Sequence, residues 1–291
     1  MLLAVVSILT VAATLAIIAT SNARLDASLA RASVSTAQVR AGIEAGVARA
    51  LFLLGEPNAL VADGRVLAFQ LDDLDIKVRL VADQGLVGLN SADEVFLEQV
   101  LSSVVSKREA VALAQAILDW RDADNDPRPV GAEARFYARQ GLMEPGNRPF
   151  VHIVELRRVI GIDDTIFAAI APLFSVSTNN IKPDENFAPL VILELLDLLP
   201  SELEEILRRR DADQPLPQDE PTPDADENAA QTTARIPILH AFVEVQATNG
   251  AARAERMRIE FDTDNNRYRL YGRHVIDYGS SDILFERNLG Q

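Results

Sequence analysis

The chain has 291 residues, enough for one large domain or two ordinary ones, and its hydrophobic content of 48% is sufficient for a buried core. The formal net charge of −15 repels phosphate backbones, so the composition argues against a nucleic-acid partner. Cysteine is absent, which excludes disulfides and thiolate chemistry.

The chain starts with an apolar run. No charged residue occurs between Leu2 and Thr20, and the first charge is Arg24. About 20 apolar residues cross a bilayer as a helix, so residues 1–22 are predicted to be the transmembrane part of a helix. A cleaved signal peptide is the alternative, but the run lacks a basic n-region and is longer than the apolar part of most signal peptides.

Helical spacing of apolar residues continues beyond this run and ends near Gly55 and Pro57. One helix of about 50 residues, roughly 75–80 Å long, is therefore predicted. Half of it is expected in lipid and half packed on a soluble head. The spaced residues are Leu25, Leu29, Val39, Ile43, Val47, Leu51 and Leu54.

Two separate regions show the period-two alternation of strands. In the first, apolar residues alternate with charged ones over 74–80, after a weaker strand at 65–71. In the second, alternation returns at 239–245, 257–261 and 268–270, with a hairpin turn at 262–266. Because an isolated strand pair is only marginally stable, both regions are predicted to share one antiparallel sheet.

The residues between the two strand regions read as helices. Capping patterns such as Ser106 with Glu109 predict an all-α domain at 89–210. Seven acids and four prolines then predict an acidic, disordered linker at 211–235. The predicted fold is α+β: a long N-terminal helix packed on an antiparallel sheet, with residues 23–88 and 236–291 forming the head and the helical domain inserted into the sheet.

The acidic segment at 119–133 carries the spacing of a calcium-binding loop. Counted from Asp122, acids occupy the first, third, fifth and twelfth positions, as Asp122, Asp124, Asp126 and Glu133. The sixth position is Pro127, where the sharp turn of such loops uses glycine. A divalent-cation site with oxygen ligands is one interpretation, a solvated acidic turn is the other, and spacing alone does not separate them.

Several motifs together give the chain a family resemblance. It resembles the minor pseudopilin K family of the bacterial type II secretion system. The residues that carry the resemblance are Asp83-Gln84-Gly85 through Leu89-Asn90, Asp119 to Asp124 with Gly131-Ala132-Glu133 and Tyr137, and Pro145 to Pro149 with Glu155-Leu156 and Gly161.

The resemblance implies a pilin-like fold with a helical insertion and a non-enzymatic role in protein export. It implies a place at the tip of a pseudopilus with the minor pseudopilins I and J. The location implied is the inner membrane, in a single pass with the head in the periplasm, without nucleic acid or small-molecule substrate as partner. It also implies a structural calcium ion held by Asp122, Asp124, Asp126 and Glu133, and Glu155 could complete the ligand shell.

The charge pattern of the apolar run agrees with a tip position. Most pilin-type subunits resemble one another in a glutamate near the start of this helix, which pairs with the N-terminal amine of the subunit above. No acid precedes Asp26 here. A subunit with nothing above it needs no such partner, because an unpaired carboxylate in lipid is costly.

Two alternatives come from other classes of protein. Residues 155–162 followed by 167–170 resemble a helix–hairpin–helix that binds nucleic acid, although Asp163 and Asp164 would repel phosphate. A membrane-anchored periplasmic enzyme is the other alternative. It lacks motif support, because His152, His240 and His274 form no metal-ligand pattern and no nucleophile elbow is present.

Overall fold

The computed structural model describes residues 2–56, 60–211, 238–262 and 267–276, without the side chains of residues 2–6, 8, 11 and 211. The predicted acidic linker lies outside these residues except for the backbone of Asp211, and the predicted hairpin turn does so except for Asp262. The elements are, in chain order, α1 Leu2–Gly55, β1 Asp63–Leu71, β2 Leu74–Ala82, β3 Val87–Gly88, α2 Glu94–Ser102, α3 Lys107–Arg121, α4 Ala134–Arg139, α5 Asp164–Ile170, β4 Phe174–Ser175, α6 Leu190–Leu193, α7 Pro200–Asp211, β5 Ile238–Ala247, β6 Ala252–Asp262 and β7 Arg267–Ile276, with 3-10 helices at Asp83–Gly85, Ile153–Arg158 and Ala171–Leu173.

Helix α1 is continuous over 54 residues, and its C-terminal half packs on the sheet. Val39, Ile43 and Val47 form the buried stripe. Gly42 lets the helix lie close, because a Cβ there would stand 2.8 Å from Leu74 Cδ1.

Within the part of the chain that the structure describes, no helix combines the length and apolar character that crossing a membrane requires.

One five-stranded antiparallel sheet contains both predicted strand regions, in the order β1-β2-β5-β6-β7. Strands β2 and β5 are neighbours although about 155 residues separate them, with Leu74 opposite Ala247 and Ala82 opposite Leu239. The prediction of one shared sheet is therefore confirmed. All elements from β3 to α7 are inserted between β2 and β5.

The inserted residues differ in two ways from the predicted all-α unit. Strands β3 and β4 form a short parallel pair, with Val87 opposite Phe174, which joins the start of the insertion to its later part. Two-residue strands give no alternation to detect. Within the predicted all-α domain, Ile153–Arg158 is a 3-10 helix and not an α-helix, and it begins after Pro149.

The sheet separates two hydrophobic cores. Alternate side chains such as Val78 and Val243 pack beneath α1, whereas Val81 and Phe242 face the inserted helices. Period-two alternation puts neighbouring residues of one strand on opposite faces. A sheet covered on both sides therefore supports the helical unit through the same strands that support α1.

A buried polar cluster fastens the inserted unit to the sheet. Asp83 Oδ1 accepts hydrogen bonds from Ser175 Oγ and from His240 Nε2, the latter at 2.8 Å. Arg256 donates to His240 Nδ1 at 3.2 Å and to the carbonyl oxygens of Ala171 at 2.5 Å and Phe174 at 2.9 Å. Because arginine can only donate, His240 Nδ1 must accept, so the imidazole is neutral.

Candidate metal centre

The acidic loop connects two helices. Helix α3 starts at the capping residue Ser106, whose Oγ accepts from Glu109 N at 3.4 Å, and it ends at Arg121. Glu133 is the residue before α4. The twelve residues 122–133 therefore form the loop of a helix–loop–helix, which is the arrangement that the acidic spacing predicts.

Three of the four predicted ligands come together. Asp122, Asp124 and Glu133 each offer a carboxylate oxygen, and these oxygens lie within 4.8 Å of one another. Glu133 is only 4% exposed, and neither of its oxygens has a hydrogen-bond partner among the described residues. The same is true of Asp122 Oδ1. Buried carboxylate oxygens without partners are costly, so this donor set fits a hard cation.

The electrostatics of Glu133 agree with this geometry. Burial, together with the negative charges of Asp119 and Asp122, raises the pKa of Glu133 to about 7. Without a cation, Glu133 therefore carries a proton in about half of the molecules at neutral pH. A divalent cation would displace that proton, because its charge favours the ionised carboxylate.

The other predicted ligands lie apart from this group. Asp126 is exposed, and its backbone N–H donates to Asp124 Oδ1 at 2.9 Å. Glu155 Oε1 accepts from the backbone N–H groups of Val151 and His152, and its Oε2 lies 3.0 Å from Arg148 Nη2. Pro127, at the sixth position, precedes the turn that carries Arg128 back toward α3.

Two groups in the site were missed by the sequence argument for ligands. Asp119 is fully buried, and Arg128 Nη1 lies 2.5 Å from its Oδ1 and 2.6 Å from Asp122 Oδ2. Gly131 makes room for this contact, because a Cβ there would stand 2.1 Å from Asp119 Oδ2. The available signal was the three-residue spacing between Asp119, in the last turn of α3, and Asp122, the residue that directly follows the helix.

Aromatic packing holds the loop from below. Trp120 is 2% exposed and stacks on Phe150, with ring centroids 6.0 Å apart and planes 16° apart. The ring centroid of Tyr137 also lies 6.0 Å from that of Trp120. On the loop's outer side, Asn147 has a φ of 43° and donates from Nδ2 to the carbonyl oxygen of Asp124 at 3.0 Å. The buried Trp120 therefore anchors the loop in the core.

The residues of the two alternative functions have structural partners. In the hairpin, Gly161 has a φ of 85°, and Asp163 caps α5 by accepting from Ile166 N at 2.8 Å. His240 lies in the buried cluster that joins the inserted unit to the sheet. Asp119 and Asp122 are both held by the guanidinium of Arg128.

One stretch of the chain is similar to a known family. Residues 73–179 match the sequence model of the type II secretion system protein K family. This matched segment contains β2, β3, β4, the helices α2 to α5 and the acidic loop.

This chain is similar, over part of its length, to two curated proteins. It is 27% identical to the type II secretion system protein K of Dickeya chrysanthemi over 128 residues, covering 41% of this chain and 35% of that protein. It is 26% identical to a putative type II secretion system protein K of Escherichia coli K12, covering 42% and 39%. The matches thus span little more than a third of the length of these relatives.

A solved structure resembles the fold over most of its length. A chain of the GspK–GspI–GspJ complex from the enterotoxigenic Escherichia coli type 2 secretion system matches with a TM-score of 0.53 and 17% identity. The match covers 85% of this chain and 99% of the solved chain. The predicted pilin-like α+β fold is therefore confirmed.

Proposed function

We propose that this chain is a minor pseudopilin that assembles at the tip of a type II secretion pseudopilus and acts in protein export without catalysing a reaction. Its partners are the minor pseudopilins I and J. The apolar sequence at the start of α1 anchors it in the inner membrane, and the head lies in the periplasm.

The single observation that carries this proposal is the insertion of a helical unit between two strands that pair with each other. Strands β2 and β5 keep an uninterrupted antiparallel register of nine residue pairs while the chain leaves and returns between them. The family match covers the first part of this insertion, and the solved relative shares the overall arrangement. Its chain comes from a complex with two further secretion proteins, which supports partners of the same kind here.

The surface available for such partners is the exposed part of α1. Residues 24–34 of α1 are all exposed, whereas the helix packs on the sheet from Val39 onward. Leu29 is 65% exposed on this stretch. Packing of a neighbouring helix against Leu29 would stabilise the assembly, because it would remove this apolar side chain from water.

Co-purification tests the assembly proposal. The full chain, co-expressed with pseudopilins I and J of one secretion system, should retain both partners in detergent. Leu29→Arg should lower recovery by roughly tenfold or more, because an unpaired buried guanidinium costs several kcal/mol. Leu199→Arg is the matched control, since Leu199 is 62% exposed on the inserted unit. Failure of the unsubstituted chain to bind, or equal loss in both variants, would refute the proposal.

We also propose that Asp122, Asp124 and Glu133 hold a structural calcium ion, with Asp126 as a further candidate ligand. The two unpartnered oxygens of buried Glu133 support this choice, because calcium accepts a bidentate carboxylate at the twelfth position of such loops. When bound, the cation supplies charge neutralisation and links α3, the loop and α4. Beneath the loop, the packed rings of Trp120, Tyr137 and Phe150 support it.

Limited proteolysis and calorimetry test the cation. Calcium should bind to the full chain, and a chelator should speed cleavage within residues 119–137 while the sheet stays protected, because the loop depends on the cation and the sheet does not. Trp120 fluorescence should respond in the same titration, since the indole packs beneath the loop. Absence of calcium binding in calorimetry would refute the site.

A further inference from the structure

Arg128 divides the carboxylates of the acidic loop into two sets. Its Nη1 bridges Asp119 Oδ1 and Asp122 Oδ2, at 2.5 and 2.6 Å. Its backbone N–H also donates to Asp119 Oδ2 at 3.3 Å. Both oxygens of Asp119 are therefore used inside the protein, and Asp122 has one oxygen used in the same way.

The oxygens that remain are those of the proposed cation site. Asp122 Oδ1 and both oxygens of Glu133 are buried, and they lack partners among the described residues even with Arg128 in place. Asp122 thus accepts from the guanidinium through Oδ2, and its buried Oδ1 is left without a partner among the described residues. If the Arg128 guanidinium competed with the metal, it would instead occupy these remaining oxygens.

We propose that Arg128 is a positioning residue for the cation, which orients Asp122 Oδ1 toward the metal and keeps Asp119 out of the ligand shell. This inference rests on the proposed calcium site. Arg128 also removes one of the four negative charges of Asp119, Asp122, Asp124 and Glu133, so a divalent ion leaves a residual charge of about −1 instead of −2.

We expect the contact between Arg128 and Asp122 to affect calcium affinity through the position of the Asp122 carboxylate. Groups that orient metal ligands typically contribute about 10–100-fold to metal affinity. Removing Arg128 also leaves Asp119 buried without its charged partner, since Asp119 is fully buried. The loop then has to become ordered when the metal binds, which weakens binding further.

Calcium calorimetry on four forms of the full chain tests the inference. Arg128→Gln should bind calcium about 10–100-fold more weakly than the unsubstituted chain. Arg128→Lys should recover part of the affinity, because one nitrogen makes both bridging contacts and an ammonium can replace it. Arg135→Gln is the control for net charge: Arg135 is exposed on α4, and its substitution should leave affinity unchanged.

The outcomes separate this inference from the site on which it rests. Binding by the unsubstituted chain with equal or tighter binding by Arg128→Gln would overturn the positioning role and leave the calcium site standing. So would an equal loss in Arg135→Gln, or an Arg128→Lys variant that binds no better than Arg128→Gln. Absence of binding by the unsubstituted chain would overturn both.

Discussion

Replacing Glu133 by glutamine should have opposite effects with and without calcium. Because burial and the charges of Asp119 and Asp122 raise its pKa from 4.5 to about 7, ionising Glu133 in the folded chain is unfavourable. For an acid with a raised folded pKa, stability is lost as pH rises from about 4.5 to 7. At pH 8 without calcium, that loss amounts to roughly 3 kcal/mol. Glu133→Gln removes this charge, so the calcium-free variant should be more stable by about 1–3 kcal/mol.

With calcium the order should reverse. A ligand present at 100 times its dissociation constant adds about 2.7 kcal/mol to the stability of a protein that binds it only when folded. The unsubstituted chain should gain this increment. Glu133→Gln should gain little, because a neutral amide cannot replace a bidentate carboxylate.

Urea unfolding at pH 8 is the assay, with and without chelator, followed by circular dichroism and by the fluorescence of Trp120, the chain's only tryptophan. Glu144→Gln is the control, since it makes the same substitution at an exposed position outside the group of three carboxylates. A calcium-free Glu133→Gln variant less stable than the unsubstituted chain would show that the buried carboxylate is not strained. Equal stabilisation of both by calcium would show that Glu133 is not a ligand.

Two further predictions concern the junction between the sheet and the inserted unit. Burial lowers the pKa of His240 to about 4, so its stability contribution should fall as pH drops from 6.5 towards 4, by up to roughly 3 kcal/mol. Ionisation of Glu133 changes the stability with the opposite sign in this pH window, so the effect of His240 should be measured in the Glu133→Gln background. In that background, adding His240→Gln should flatten the dependence of stability on pH. An unchanged slope would contradict the assignment of this dependence to His240. Gly85→Ala should cost about 2 kcal/mol or more in urea unfolding, because its Cβ would lie 2.2 Å from the carbonyl oxygen of Phe187. Gly272→Ala, whose Cβ would meet no atom closer than 3.7 Å, should stay within about 0.5 kcal/mol, and equal costs would refute the packing argument.

The sequence predicted the long elements because they carry periodic patterns. The helical spacing from Val39 to Leu51 and the alternation from Leu74 to Leu80 each repeat over several turns or residue pairs, and both elements are present. The single sheet shared by both strand regions followed from a stability argument, since an isolated strand pair is only marginally stable. Short elements such as β3 and β4 have no such repeat, and the sequence argument missed them.

The candidate site was predictable in its residue types and not in its contacts. Spacing placed carboxylates at 122, 124 and 133, and Asp122, Asp124 and Glu133 come together in the structure. Spacing also included Asp126, which the folded loop leaves exposed. Nothing in the spacing indicated that Arg128 turns back onto Asp119, because that contact depends on a close approach at Gly131.

The sequence by itself determined the long helix, the strand regions on either side of a helical insertion, and the resemblance to the protein K family. These features depend on local periodicity and on short motifs that lie within one stretch of chain. Only the tertiary structure decided which oxygens of the acidic loop are occupied and which stay without partners. Hydrogen bonding and burial are set by residues that meet in space, such as Arg128 with Asp119 or Asp83 with His240, 157 positions apart, and one-dimensional spacing carries no record of those meetings.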